Sequence, residues 1–379
     1  MRILIVSTAY WPYPSGVSEV IYYLSNELNA RGHKVTVLTT NYSKIYDDGH
    51  NADFDVVRVG KAVEIHINQS VSHISLGYDI PVKIKRLLKN EHFDIIHYHN
   101  CFPLELESWV LHYSKTINCV SFHTIGFKRN PLFDIGAFIF KKYINKIHGH
   151  IAISEIARNW NRPYFPGDYT IIPNGVDTER FSLSVEPFEK PKNAFVILYL
   201  GRLHQRKGIF VALDAFKNIK DKYPNTLLYV VGKGLLENEA QAYTEKLGLN
   251  NCCRFFGYVS RDELPRFYRT CDVFISPALG GEAQGIVLLE AMASGKAVIV
   301  SAIPGYQEVV ADNENGLLFQ TGSSQDLAEK IRLVMNDNLL RQKLEINARG
   351  RAEQYAWPKI VERVENYYTE LIAHHKSSF

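Results

Sequence analysis

Short, apolar, β-rich runs alternate with longer helical patterns along this chain, and the alternation constrains the fold more than any other feature. A helix is predicted from Val17 to Ala30, after the first strand and its turn, and Gly32 would end it. This order is typical of parallel α/β proteins, whose ligands bind outside the carboxyl ends of the strands. The runs predicted as strands in the first half are Arg2–Ser7, Lys34–Thr39, Asp94–Tyr98, Asn118–Phe122 and His150–Ser154.

The alternation stops at residues 181–193, where prolines and charges occur without periodicity, and we predict a linker there. It then restarts, with a helix beginning at Ile209. A last helix, at 357–374, would cross back to the first domain. The sequence thus predicts two doubly wound, Rossmann-like domains facing a deep cleft, 1–185 with 357–379 and 193–356. The strands predicted in the second half are Ala194–Leu200, Thr226–Val231, Arg254–Phe256, Asp272–Ser276 and Ala297–Ser301.

Composition excludes several classes of protein. The formal net charge of +3 is too small to indicate a nucleic-acid partner, and no nucleic-acid-binding motif is present. No run approaches the roughly 20 apolar residues of a spanning helix, and Pro12 and Pro14 make the N-terminus a first strand rather than a signal peptide. The cysteines form no C-x-x-C pair, which favours a reducing, cytoplasmic compartment over a zinc or redox site. They are Cys101, Cys119, Cys252, Cys253 and Cys271.

The segment Gly280–Ser301 holds the densest group of candidate ligands. Glu282 lies in a glycine-rich loop, and Glu290 follows on the helix that this loop opens. The first amides of that helix, at Gly285 and Ile286, favour anions. Two carboxylates beside such amides suit a ligand with both hydroxyls and phosphates, as in a nucleotide sugar. On spacing alone, a capped surface helix with incidental acids explains the pattern equally well.

A basic loop, GRLHQRKG from Gly201 to Gly208, follows a predicted buried strand. Arg202, Arg206 and Lys207 stand there just before a helix start, which suits a diphosphate because arginine donates in a bidentate fork. The loop is neither a Walker A loop nor a dinucleotide-binding G-x-G-x-x-G. A solvated basic loop is the alternative.

Two features of the first domain are also candidates for ligand contact. Gly16 precedes the first helix, where a glycine lets backbone approach a phosphate closely, although a plain turn gives the same pattern. His123 closes a strand in SFHT and could hydrogen-bond a sugar or a developing charge, or be structural. His97 and His99 share a strand face without an accompanying carboxylate or cysteine cluster, so we predict that they are structural.

The stretch 81–90 interleaves apolar residues with the basic residues Lys83, Lys85, Arg86 and Lys89. More basic residues and aromatics occur at 127–146. Basic residues beside apolar ones suit docking on an anionic membrane surface, and an ordinary amphipathic surface helix is the alternative.

Taken together, these segments resemble the retaining glycosyltransferases of family 4, which have the two-domain GT-B fold. The resemblance spans nearly the whole chain, and the ordered set of motifs is specific although each one alone is weak. The motifs, in the family's order, are PSGVSEV with Gly16, DIIHYHN, SFHT with His123, IPNGVD, YLGRLHQRKG, VVGKG with Gly232, and the glutamate pair Glu282 and Glu290.

The resemblance implies a role for each matching position. Arg202 and Lys207, with Arg206 nearby, would hold the donor diphosphate, and the Gly16 backbone would touch it from the opposite domain. Glu282 would bind hydroxyls of the transferred sugar and His123 would hydrogen-bond near its reacting carbon. No cofactor and no catalytic metal are expected, because cations and helix amides would stabilise the charge. The remaining donor-binding positions implied are Gly232, Val259, Gln284, Gly285, Ile286 and, for the ribose hydroxyls, Glu290.

Within the family the chain is most similar to the phosphatidylinositol mannosyltransferase branch. That branch implies GDP-mannose as donor, a lipid-linked acceptor, and peripheral attachment to the inner membrane face by the basic helix. Three departures are Ser15-Gly16 for the usual double glycine, an Arg-to-Lys loop one residue shorter, and Gln284 in place of an aromatic residue. The alternatives are a transferase that uses UDP-glucose or a UDP-N-acetylhexosamine on a glycan or glycolipid, a non-catalytic nucleotide-sugar-binding subunit, and a phosphorylase or 2-epimerase.

Overall fold

The computed structural model describes residues 1–13, 15–42, 52–67, 70–101, 105–126, 141, 143–188 and 190–376. Contacts divide the chain into a first unit, Met1–Asn174 with Trp357–Phe379, and a second unit, Gly175–Ala356. Residues 181–193, predicted as a linker, therefore belong to the second unit. Two aromatic side chains place them there: Phe181 is buried in its core, and the ring of Phe188 packs 4.7 Å from that of Phe267.

The first unit contains an eight-stranded sheet with the order β4-β3-β2-β1-β5-β6-β7-β8. All neighbours in it are parallel except β3 and β4, which form an antiparallel pair. The strands are β1 Arg2–Val6, β2 Lys34–Asn41, β3 Asp55–Ile67, β4 Ser70–Leu76, β5 Ile95–His99, β6 Ile117–Phe122, β7 Gly149–Ala152 and β8 Tyr169–Ile171. Its helices include α1 Gly16–Ala30, α2 Ile80–Asn90, α3 Leu106–Tyr113, α4 Glu155–Asn161 and the C-terminal helix Trp357–Lys376.

Strand β1 pairs with both β2 and β5, so the direction of winding reverses there. Ligands of doubly wound sheets bind at this kind of switch, beyond the carboxyl ends of the strands. His99 is the last residue of β5, and His123 follows directly after β6.

The C-terminal helix packs within the first unit. The ring of Trp357 stacks on that of Tyr23 in α1, with centroids 5.6 Å apart. Arg31, which follows α1, pairs with Glu365, and the buried Tyr368 hydroxyl bonds to His97. These contacts tie the end of the chain to α1 and to the centre of the sheet.

The second unit contains a six-stranded parallel sheet with the order β11-β10-β9-β12-β13-β14. Its strands are β9 Phe195–Leu200, β10 Thr226–Val231, β11 Cys253–Gly257, β12 Val273–Ser276, β13 Ala297–Ser301 and β14 Leu317–Phe319. Its helices are α5 Ile209–Lys220, α6 Glu237–Lys246, α7 Leu264–Thr270, α8 Ile286–Ala293, α9 Pro304–Gln307, α10 Ser324–Asn336 and α11 Asn338–Ala352, and short 3-10 turns occur at Gln205–Lys207 and Glu353–Tyr355. Here β9 pairs with both β10 and β12, so the switch lies between the loops that follow β9 and β12.

The predicted parallel α/β architecture is confirmed, and the predicted strands and the helices at 17–30 and 209 match observed elements to within two residues at each predicted end. Strands β3, β4, β8 and β14 were not predicted from the sequence. Strands β8 and β14 have three residues each, too few to show a periodicity. The apolar pattern of β3 is broken by Gly60, which has a positive φ of 61°, and by the charged residues Asp55, Arg58, Lys61 and Glu64.

Candidate functional site

The loops after β9 and β12 in the second unit are packed against each other at the switch. Gly208 has a φ of 70°, and a Cβ added there would lie 1.9 Å from the carbonyl oxygen of Pro277. The Leu279 amide donates to the Arg206 carbonyl at 2.7 Å. Because only glycine fits between the two backbones, both loops are held in one arrangement.

Three charged side chains meet at this junction. Arg206 Nη1 lies 2.7 Å and Lys207 Nζ 2.8 Å from the same carboxylate oxygen, Oε1 of Glu282. Arg206 also donates to the Gly281 carbonyl at 2.8 Å. The three side chains are 25, 17 and 10 % exposed, so the cluster is shielded but reachable from solvent. The structure thus brings the predicted basic loop onto the predicted acid.

Helix α8 begins beside this cluster. Its N-cap is Gly285, with a φ of 87°, and no side chain caps it, so the amides of Ile286 and Val287 have no acceptor within the helix, while that of Leu288 donates to the Gly285 carbonyl at 3.0 Å. A Cβ on Gly285 would lie 2.7 Å from the ring of Tyr306. Gln284 is 2 % exposed and is therefore almost fully buried. Free backbone amides at a helix N-terminus that begins at a glycine, next to two cations, form an anion-binding site.

Glu290 lies on α8 but not in the charged cluster. It is 8 % exposed, and the Tyr268 hydroxyl donates to its Oε2 at 2.7 Å. Burial raises the pKa of Glu290, while Arg180, Tyr268 and Arg261 act in the opposite direction. The sequence analysis missed Arg180 and Tyr268, because both are distant in the chain and have no motif around them.

The remaining predicted donor residues lie near the same strand ends. Gly232 has a φ of 125°, and a Cβ there would lie 2.1 Å from the Gly201 carbonyl oxygen, so the backbone after β10 lies against the basic loop. Val259 packs partly buried against the core of this unit. Burial and the positive charges of Arg206 and Arg202 lower the pKa of His204, so the charge of Arg202 acts within the same basic loop.

Gly16 and His123 both lie in the first unit. Gly16 is the first residue of α1, is exposed, and follows Ser15, whose hydroxyl accepts the Ser18 amide at 3.1 Å. The His123 amide donates to Asn100 Oδ1 at 3.0 Å, and its ring bonds to that of His99. Burial lowers the pKa of His123 to about 4, so its imidazole is neutral.

The basic residues of α2 lie on the solvent side of that helix. Lys83, Lys85, Arg86 and Lys89 are all exposed. Two exposed apolar residues lie beside them: Tyr78 is 99 % and Val82 68 % exposed. Of the basic residues predicted at 127–146, those at 127–140 and 142 lie outside the described residues. Lys146 Nζ instead donates to the Leu111 carbonyl at 2.6 Å, as a structural contact.

In the described part of the chain, no group of three or more histidine, cysteine, aspartate or glutamate side chains is arranged to hold a metal ion. The same residues include no helix long and apolar enough to span a membrane.

Both units match family models of glycosyltransferases. The family model described as Glycosyltransferase Family 4 matches residues 14–180, and the one described as Glycosyl transferases group 1 matches 182–351. The phosphatidyl-myo-inositol mannosyltransferase of Mycolicibacterium smegmatis is 31 % identical over 97 % of this chain and 93 % of its own. That of Mycobacterium leprae is 29 % identical, over 97 % and 96 %.

Solved structures share the fold at lower identity. The sucrose-phosphate synthase of Thermosynechococcus elongatus superposes with a TM-score of 0.78 at 21 % identity, over 98 % of this chain and 99 % of its own. Anabaena Alr3699/HepE, solved with UDP-glucose, gives 0.71 at 20 % identity, over 100 % of both chains. The fold is GT-B, as the sequence predicted.

Proposed function

Because this chain belongs to glycosyltransferase family 4, we propose that it transfers mannose from GDP-mannose to a lipid-linked or glycan acceptor and retains the anomeric configuration. That it is a hexosyltransferase follows from the family itself. Mannose is favoured because the relatives that match nearly the whole chain include phosphatidyl-myo-inositol mannosyltransferases. Retention is carried over from the family resemblance.

The observation that carries the donor site is the cluster of Arg206, Lys207 and Glu282 beside the first amides of α8. Two cations and an uncapped helix N-terminus suit a diphosphate. In the proposed complex the diphosphate takes the place of the Glu282 carboxylate on the cations, and Glu282 turns to the sugar hydroxyls. Glu290 would bind the ribose hydroxyls in exchange for its contact with Tyr268.

The proposed reaction needs no protein nucleophile. The bond between the sugar C1 and the phosphate oxygen breaks, a bond forms from C1 to the acceptor oxygen, and the acceptor proton passes to the leaving diphosphate. Arg202, Arg206 and Lys207 stabilise the charge that develops on the diphosphate, a role that a metal ion fills in other transferases. His123 is proposed to hydrogen-bond near the reacting carbon, and the Gly16 backbone to approach the donor phosphates.

The exposed face of α2 is proposed to dock on an anionic membrane, where a lipid-linked acceptor would be found. Exposed Tyr78 and Val82 supply apolar contact beside four cations, the combination that interfacial helices use. Replacing all four cations of α2 by glutamine should weaken sedimentation with vesicles containing anionic lipid. As a control, three cations on and just after α5 in the second unit, Lys217, Lys220 and Lys222, are replaced by glutamine.

A UDP-sugar donor is the second candidate, because Gln284 alters the sugar pocket and so weakens the case for mannose. This residue stands where the family commonly has an aromatic side chain, and it is buried at the start of α8, where the sugar would bind. A non-catalytic subunit is disfavoured, because Arg202, Arg206, Lys207, Glu282 and Glu290 are all present.

Titration with GDP-mannose, GDP, UDP-glucose, UDP-N-acetylglucosamine and UDP, read as thermal stabilisation, tests the donor. A ligand that binds only the folded state stabilises it by about 2.7 kcal/mol at a hundred times its Kd. Selective stabilisation by GDP-mannose and GDP supports the proposal. Stabilisation by the uridine compounds alone supports the second candidate, and no response to any of them contradicts both.

A further inference from the structure

Three buried histidines lie together at the carboxyl ends of β5 and β6. They are His97 and His99 on β5 and His123 just after β6. Burial lowers the pKa of His97 to about 3 and that of His123 to about 4, and holds that of His99 well below its usual value. All three rings are therefore neutral at physiological pH, and each carries a single N–H.

The rings of His99 and His123 are in direct contact. His99 Nδ1 lies 2.9 Å from His123 Nε2, and the ring planes are 13° apart. Between two neutral imidazoles this contact needs one donor and one acceptor. The position of the proton on His99 therefore determines the position of the proton on His123.

The two outer nitrogens differ in their surroundings. Among the described residues, neither His99 Nε2 nor His123 Nδ1 has a well-formed hydrogen bond, and both atoms are buried. His99 is 2 % exposed and lies against the ring of His97, with centroids 4.4 Å apart. His123 lies nearer the surface, and Asn174 beside it raises its pKa, as an acceptor would.

A buried N–H without an acceptor is costlier than a bare nitrogen without a donor. The second N–H of the pair is therefore better placed on His123 Nδ1, where Asn174 can accept it and a substrate oxygen can take the place of Asn174, than on His99 Nε2, which lies against the ring of His97. His99 then keeps its proton on Nδ1 and donates it to His123 Nε2. The ring of His97 packs against that of His99, and the hydroxyls of Ser121 and Tyr368 bond to the two nitrogens of His97.

We propose that His99 is a positioning residue for His123: it fixes the proton of His123 on Nδ1, so that His123 presents an N–H donor to an oxygen of the transferred sugar or its leaving phosphate. The inference rests on the proposed function for the identity of that oxygen. The hydrogen bond between the two histidines and the proton position do not depend on it.

The first test compares two substitutions of His99. His99→Asn keeps a short side chain with an N–H near the position of Nδ1, whereas His99→Phe fills the space without a donor. We expect kcat to fall about tenfold or more in His99→Phe, the worth of one hydrogen bond made in the transition state, with donor Kd unchanged and most of the loss recovered in His99→Asn.

The second test reads the proton directly, by two-bond ¹H–¹⁵N correlation spectra of the full chain labelled with ¹⁵N-histidine. His123→Gln identifies the His123 signals by their loss. The proposal predicts the Nδ1–H tautomer for His123 in the wild type and its partial conversion to Nε2–H in His99→Phe. An Nε2–H tautomer in the wild type overturns the proposal, even if both His99 variants fail to fold.

The two tests separate this inference from the proposed function. If His123→Gln transfers sugar at the wild-type rate, the role of His123 in transfer is wrong, while the tautomer result still decides the role of His99. If His99→Phe leaves both kcat and the His123 tautomer unchanged, His99 does not position His123.

Discussion

Glu282 occupies, with its own carboxylate, the two cations that are proposed to bind the donor diphosphate. Oε1 accepts from Arg206 at 2.7 Å and from Lys207 at 2.8 Å. A free nucleoside diphosphate must displace this carboxylate and gains no sugar contact in return. Glu282→Gln should therefore bind a nucleoside diphosphate more tightly than the wild type, while it loses transfer.

The size of the effect follows from the contacts. Two unit charges 4 Å apart attract by about 4 kcal/mol at an effective dielectric constant of 20, and solvent reduces this for side chains that are 10 to 25 % exposed. A hydrogen bond between charged groups has a net worth of about 1.5–3 kcal/mol. Removing the competing charge should lower the Kd for GDP or UDP by about 10- to 100-fold, and kcat should fall by about 100-fold or more.

Isothermal titration calorimetry with GDP and UDP at fixed ionic strength measures the first quantity. The control is Glu329→Gln, an exposed glutamate on α10 of the same unit, which removes the same charge away from the site. Unchanged or weaker nucleotide binding in Glu282→Gln, with the control at wild-type affinity, would refute the competition between Glu282 and the diphosphate.

Three further outcomes concern the stability of the fold. Glu107 accepts from the Thr8 amide and hydroxyl at 2.6 and 2.7 Å, and burial raises its pKa from the ordinary 4.5 to about 7. The stabilisation that protonated Glu107 contributes is complete below pH 4.5 and is lost as pH rises through 7. Between pH 5 and 8, the free energy of unfolding measured by denaturant titration should therefore fall by up to about 3 kcal/mol more in the wild type than in Glu107→Gln. The same dependence of this free energy on pH in both proteins would contradict this. Gly208→Ala and Gly248→Ala place alanine at nearly the same φ, 70° and 71°, but only the Cβ at residue 208 would meet another backbone segment. In calorimetry, Gly248→Ala should lower the free energy of unfolding by about 1–2 kcal/mol, and Gly208→Ala should lower it clearly more. Gly350→Ala in α11, whose Cβ meets no described atom within 4 Å outside its own helix turn, should increase the free energy of unfolding by about 0.5–1 kcal/mol and so raise Tm, and a lower Tm would show that the site is not open.

The sheets were predictable because their central strands are continuous apolar runs. Phe195–Leu200 and Thr226–Val231 are buried between helices on both sides, and this leaves a clear pattern in the sequence. The pair of β3 and β4 was missed, because charged residues within β3 break its apolar pattern.

The site was only partly predictable, because its decisive contacts are tertiary. Arg206 and Glu282 are 76 residues apart, and each was predicted near phosphate or sugar, but nothing local indicates that they pair. His99 was predicted to be structural. The structure brings it to His123 through the register of the sheet, because His99 pairs with Ser121 of β6 and His123 follows two residues after Ser121.

The most direct test of the account is transfer itself, measured with GDP-mannose and vesicles that contain phosphatidylinositol, followed by NMR of the anomeric proton of the product. We expect a mannosylated lipid with the α-configuration of the donor, and product reduced by about 100-fold or more with Glu282→Gln. No transfer from GDP-mannose to lipid or glycan acceptors, an inverted product, or full activity of Glu282→Gln would contradict it.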